Sequence, residues 1–182
     1  MTARAALVAA AIVLAPSLAE AQAAWLRDRL DVEWVVAAGG WRSAASAGDQ
    51  RAPGFDALMG GGEFVLGLDV GAGLAVVGDG RVLAGSSFDH TYFEGLGGVA
   101  LQVRLGRVRL RIGPTAGESR WRGDVATLVG GFAAGSIDVF PLGTGRLSTT
   151  VSLRVDVDAD LGVTTFLPES SVALALGVGV RY

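Results

Sequence analysis

The chain's one histidine, His90, lies in the stretch SSFDHTYFE, with Ser86, Ser87, Asp89 and Glu94 within four residues of it. Serine, imidazole and carboxylate can together activate a hydroxyl nucleophile, but the triad depends on geometry that closeness in sequence does not supply. A solitary histidine among polar loop residues is more often simply solvated. A second constellation is Asp156, Asp158 and Asp160 in DVDAD. Alternate carboxylates open the calcium-binding loop, which continues with glycine at its sixth position and a bidentate glutamate at its twelfth. Counted from Asp156 those positions are Leu161 and Leu167, so the pattern fails and an inward-facing acidic ladder is expected instead. The third group is Arg104, Arg107, Arg109 and Arg111, which fall on one face of two neighbouring segments. Like charges opposite one another repel, so these arginines require carboxylates within reach. No phosphate-loop lysine, H-E-x-x-H, G-x-S-x-G or G-x-G-x-x-G is present, and each motif carries chemistry that its residue types make possible. No catalytic residue, metal site or cofactor is therefore expected.

The elements that must position these residues are strands. Beyond the first two dozen residues, apolar side chains recur at every second position, the period of a half-buried strand. About eight segments show it: 31–40, 62–71, 73–84, 96–105, 107–113, 126–139, 147–158 and 171–182. Each is near the roughly 9–11 residues that a tilted strand needs to cross a bilayer. Their connections alternate between long (41–61, 85–95, 114–124, 159–170) and short (71–73, 106, 141–145). Gly78-Asp79-Gly80 is also a hairpin signal, but a turn there would make 62–77 one overlong strand, so the turn is placed at 71–73. In the sixth segment Phe132 and Asp138 share a face, a conflict that a β-bulge between them would resolve.

Half of the chain is apolar, yet no segment after the first two dozen residues offers the roughly 18 continuous apolar residues of a membrane helix. The residues alternating with the aliphatic ones decide which side is which. On 171–182 they are Ser171, Ala173, Ala175, Gly177, Gly179 and Arg181. A water-soluble barrel of the lipocalin kind would carry plentiful charge on its outer face. Small residues with scattered charges suit instead the narrow interior of a barrel of about eight strands, which side chains fill, with the branched aliphatics facing lipid. The interior is accordingly expected to hold a charge network of Asp31, Glu33, Glu63, Asp69, Arg104, Arg107, Arg109, Arg111, Asp138, Arg154, Asp156 and Arg181. Because a closed antiparallel barrel brings its last strand beside its first, Arg181 is expected to pair with Glu33 or, alternatively, Asp31. Asp138 is expected to meet Arg107 or Arg109. The functional alternative to such a plug is a narrow pore lined by charge. A net charge of −3 gives no support for a nucleic-acid partner, which calls for a basic patch. With no cysteine in the chain, there is no thiol chemistry.

The chain ends SVALALGVGVRY. Leu174, Leu176, Val178, Val180 and the final Tyr182 resemble the C-terminal targeting signal of bacterial outer-membrane β-barrels, read by the barrel-assembly machinery. Strand number and loop alternation resemble the small barrels of the outer-membrane protein A and X type. The resemblance implies an all-β, up-and-down antiparallel transmembrane barrel over residues 24–182. It also implies a monomer in the outer membrane of a Gram-negative bacterium, in contact with outer-membrane lipid and lipopolysaccharide, with a structural or surface-interaction role. Some outer-membrane barrels modify lipid A, but the histidine-x-serine pattern of the deacylases fails here because position 92 is tyrosine. Aromatic girdles would be thin: Trp34, Phe140 and Tyr182 on the periplasmic side, Trp41, Tyr92 and Trp121 on the outer side. Residues 1–23 read as a secretory signal peptide, with Arg4, the apolar run Ala5–Leu14 and the small-x-small site Ala21-Gln22-Ala23.

Overall fold

Alternation of branched aliphatics with small or charged residues gives each segment two unlike faces, and the backbone answers with eight antiparallel strands. The computed structural model describes residues 24–26, 28–44, 55–142, 147–161 and 170–182, apart from the side chain of Ala38. The strands are β1 (Leu30–Ala44), β2 (Phe55–Gly71), β3 (Leu74–Ser87), β4 (His90–Leu105), β5 (Val108–Trp121), β6 (Asp124–Pro141), β7 (Ser148–Asp160) and β8 (Ser170–Arg181). Each pairs with its neighbours in chain order, and the ring closes between β1 and β8. At the closure Val32 N–H donates to the Tyr182 carbonyl at 3.1 Å and Tyr182 N–H returns a bond to Val32 at 2.8 Å. The ladder runs from Glu33 opposite Arg181 to Ala44 opposite Ser171, with one irregularity between Ala37 and Gly39. A closed ring leaves no strand edge unpaired. Residues 24–26 and 28–29 are helical, and the Arg29 guanidinium stacks on the Trp25 ring at 4.7 Å. The proposed signal segment, 1–23, lies outside the described residues.

β8 shows why the ring can close. Its inward residues are small from Ser171 to Gly179, before Arg181 at the terminal end, where β1 starts. A Cβ at Gly177 would run into the Val35 side chain, and one at Gly179 would overlap the Trp34 carbonyl oxygen.

Several strands are much longer than periodicity suggested. The stretches 85–95 and 114–124, expected as long loops, are mostly strand: β3 meets β4 across only Phe88-Asp89, and β5 meets β6 across Arg122-Gly123. β1 likewise extends through Trp41–Ala44, and β2 begins at Phe55. The physical reason is an inversion of polarity along the strands. Over most of their length the outward residues are aliphatic. Toward the far end, β5 turns Glu118 and Arg120 outward, and these pair with each other at 3.2 Å. There the inward residues become apolar instead: Phe55, Met59, Leu83, Tyr92, Leu96 and Leu128 form one cluster. Alternation continues, but its sign changes, so a search for outward aliphatics ends too early.

Other expectations meet different outcomes. The turn at 71–73 is present, with Ala72 and Gly73 at positive φ, and Gly78-Asp79-Gly80 lies inside β3. Phe132 and Asp138 do share the inward face of β6, and the irregularity falls after them, between Asp138 and Phe140. Tyr92 does not join an outer girdle. Its side chain is fully buried inside the barrel, and Trp121 packs partly buried against the same cluster, its indole N–H donating to the Ser87 carbonyl at 3.2 Å.

The β3–β4 turn places Phe88 at φ 49° and Asp89 at φ 64°. Two consecutive positive φ values define the hairpin turn whose twist matches the flanking strands. Aspartate tolerates it; phenylalanine carries a Cβ clash worth roughly 1–2 kcal/mol. Replacing Phe88, which is 65% exposed, by Gly should therefore raise the urea midpoint of unfolding. A lowered midpoint would show that the Phe88 side chain makes a compensating contact.

Candidate functional site

Inward positions of the eight strands converge on a bore that side chains can fill. Six arginines enter it, Arg42, Arg81, Arg109, Arg111, Arg154 and Arg181, each 8% exposed or less. Burying a charge is tolerated only if it is paired and hydrogen-bonded. Their partners come from strands across the bore.

Toward the far end, Arg42 of β1 donates through Nε to Glu94 of β4, through Nη2 to Asp158 of β7 at 3.0 Å, and through Nη1 to the Ser171 hydroxyl at 2.6 Å. Arg81 of β3 takes the other Glu94 oxygen at 2.6 Å and lies 2.6 Å from Asp156. The Tyr92 hydroxyl adds a donor to Glu94 at 3.1 Å. In the middle, Arg154 of β7 holds Asp156 through Nε and Nη2, reaches Asp79 of β3 through Nη1, and lies over the Phe132 ring at 3.9 Å. Arg111 of β5 pairs with Glu63 of β2 at 2.9 Å and lies 3.5 Å from Glu33 of β1. At the terminal end, Arg109 meets Asp138 at 2.9 Å and Asp31 at 3.3 Å. Arg181 binds Asp31 and Asp138, each at 2.9 Å. Eight carboxylates thus face six guanidinium groups. Hydroxyl donors from Ser136 and Thr150 reach Glu33 at 3.3 and 3.1 Å and offset part of the difference.

Of the residues expected inside, Asp31, Glu33, Glu63, Arg109, Arg111, Asp138, Arg154, Asp156 and Arg181 occupy the interior. Arg181 lies opposite Glu33 in the ladder, but its guanidinium turns to Asp31 and Asp138. Arg104 and Arg107 do not belong to the network. Both are exposed at the β4–β5 turn, where strand parity no longer points into a closed bore, and the Arg104 Nε donates to the Gly106 carbonyl at 3.5 Å. Asp69 is only half-buried, and its Oδ1 accepts from the Gly71 N–H at 2.7 Å, tying down a turn. Asp158 joins the network from the expected acidic ladder, whereas Arg42, Asp79, Arg81 and Glu94 join it beyond the sequence expectation. Arg42 and Glu94 fall within 41–61 and 85–95, stretches that the alternation assigns to loops. For Asp79 and Arg81 the signal was available, since Val77, Asp79, Arg81 and Leu83 follow one parity of β3.

His90 opens β4 at the far end, exposed, with its ring edge-on to Trp121 at a centroid distance of 5.9 Å. It lies opposite Ser87 in the β3–β4 ladder, and the Ser87 side chain is buried on the inward face while Ser86 faces outward. Asp156 and Asp158 point inward as a ladder, each already engaged by arginine. The terminal residues Leu174, Leu176, Val178, Val180 and Tyr182 line the outward face of β8, all exposed. Trp34 also faces outward and packs edge-on against Phe64 at 5.0 Å.

Among solved structures, the chain is similar to the crystal structure of Neisserial surface protein A, at 12% sequence identity and a TM-score of 0.49, over 84% of this chain and 95% of that one. No protein family and no curated protein matches the sequence. Barrel closure rests on this chain's own β1–β8 ladder.

Because Glu63 takes its closest bond from Arg111, removing that guanidinium strands a buried carboxylate. Arg111→Met should cost roughly 3–5 kcal/mol of unfolding free energy, read from urea titration followed by tryptophan fluorescence. Adding Glu63→Gln should recover part of the loss. Purely additive losses would mean that the two side chains do not interact.

Proposed function

We propose that this chain is an outer-membrane β-barrel of a Gram-negative bacterium, a closed and non-conducting barrel with a structural or surface-interaction role. The observation that carries this reading is the inside-out distribution of polarity. Exposed aliphatics ring the barrel, among them Val36, Leu66, Val76, Leu101, Ile112, Leu153 and Leu176, while the buried guanidinium groups and carboxylates pair across the bore. In water such a surface would be far larger than the apolar patches that soluble monomers expose. In lipid it is the favourable face, and ring closure leaves no strand edge in hydrocarbon. On β8 the apolar outward run from Val172 to Val180 spans nine residues, close to the roughly 9–11 required of a tilted spanning strand. Glu118 and Arg120 mark the edge beyond which β5 meets water.

In this reading the terminal end faces the periplasm, and the Phe88-Asp89 and Arg122-Gly123 turns face outward. Leu174, Leu176, Val178, Val180 and Tyr182 are the segment recognised by the assembly machinery. The monomeric barrel sits among outer-membrane lipids, with lipopolysaccharide around its outer half. The paired bore disfavours the pore alternative, since fixed cross-lumen ion pairs occupy the path that ions would take. No catalytic step is assigned to His90.

Cysteines placed at Asp89 and Arg122 should react with an impermeant thiol reagent on intact cells, whereas cysteines at Ala72 and at inward-facing Ser119 should not. Purified protein should insert into planar bilayers without a steady current. Labelling at Ala72 to the level of Asp89, or a stable charge-selective conductance, would contradict the reading.

A further inference from the structure

The terminal end of the barrel holds a cleft of about 220 Å³ bordered by Arg107, Asp138, Phe140, Leu147, Ser148 and Arg181. Asp138 is already occupied: Oδ1 accepts from Arg109 at 2.9 Å and from Arg181 Nε at 3.1 Å, and Oδ2 accepts from Arg181 Nη2 at 2.9 Å. Asp31 is held by Arg181 and Arg109 in the same way. Both carboxylates at this end are thus already paired with Arg109 and Arg181.

The third guanidinium at this end is that of Arg107. Its side chain is exposed and, among the described residues, has no ion pair and no hydrogen bond. Bordering the same cleft is Ser148, only 8% exposed, whose hydroxyl has no hydrogen-bond partner. A buried polar group left unpaired costs free energy, so its retention beside an unpaired guanidinium suits an acceptor arriving from outside. The walls are not polar throughout: Phe140 and Leu147 present exposed apolar surface. The acceptor should therefore be an anion that carries an organic substituent.

We infer that this cleft binds a phosphate ester, with Arg107 and the Ser148 hydroxyl donating to phosphate oxygens and Phe140 and Leu147 covering the organic part. A guanidinium fork matches phosphate geometry. A tetrahedral phosphate also has enough oxygens to accept from both donors while its ester arm leaves over the apolar wall. The same chemistry is offered by a phospholipid headgroup and by a soluble phosphate ester. The lipid source rests on the membrane reading above; the soluble source does not.

The test uses full-length barrel refolded in maltoside micelles, with folding checked by heat-modifiable gel migration. The Arg181 Nε–H resonance is followed while glycerol phosphate is added, and again in micelles doped with phosphatidylglycerol or with uncharged diacylglycerol. A saturable shift with a phosphate probe but not with diacylglycerol is expected, weakened about tenfold by Arg107→Gln. Ser148→Ala, which removes only a hydroxyl, should weaken it in the same direction, and Arg120→Gln at the far end should leave it unchanged. Tighter binding of phosphatidylglycerol than of glycerol phosphate assigns the site to lipid; the reverse order assigns it to a soluble ester. No saturable shift with either probe, or equal affinity in Arg107→Gln, overturns the inference. Failure of the membrane reading would look different: binding of glycerol phosphate would persist in a protein that does not insert into vesicles.

Discussion

Closure of the β1–β8 ladder is the constraint on which the rest of this molecule depends. Once eight strands form a ring, every strand edge is paired and the bore is fixed at a width that side chains alone can fill. Position by position, the ring then decides which residues meet one another across the interior. Arg42 and Glu94 are 52 residues apart in sequence, and only closure brings β1 and β4 to face each other. The ion pairs in turn hold opposite walls together. Neither feature stands without the other, because an open sheet would expose the arginines singly and an unpaired bore would bury them at prohibitive cost.

The interior is not uniform. In the middle and at the terminal end, charges alternate with a small apolar cluster of Val65, Val77, Ala100 and Phe132. Toward the far end an apolar cluster that includes Phe55, Met59, Tyr92 and Leu128 meets the Arg42–Glu94–Arg81 pairs through the Tyr92 hydroxyl. On the outside there, β5 turns out Glu118 and Arg120, while Phe88, Phe93 and Val125 are also exposed. On β5 the outward face changes from Leu110 and Ile112 to Glu118 and Arg120 within one strand.

The period-two pattern was enough to read strand number, antiparallel order and the inward parity of β8, because each depends only on local alternation. The terminal-end partners were also within reach. Arg109, Asp138, Arg181 and Asp31 all lie near short turns or the ring closure, where sequence distance and spatial distance can be related by counting residues. What sequence did not reveal lies where alternation changes sign. Tyr92, read as an interfacial aromatic, is buried in the bore, and Glu94, two residues on, carries two arginines. Arg104 and Arg107 failed for the opposite reason: parity continues through a turn, while the bore does not.

The central claim is that these arginines are locked in a buried, paired interior. Hydrogen exchange at individual guanidinium Nε–H groups, measured by nuclear magnetic resonance on the refolded barrel, tests it most directly. Arg42 and Arg154, whose Nε–H groups donate to Glu94 and Asp156, should exchange orders of magnitude more slowly than Arg120, which is exposed. Exchange at Arg42 and Arg154 as fast as at Arg120 would mean a hydrated, mobile lumen and would contradict the account.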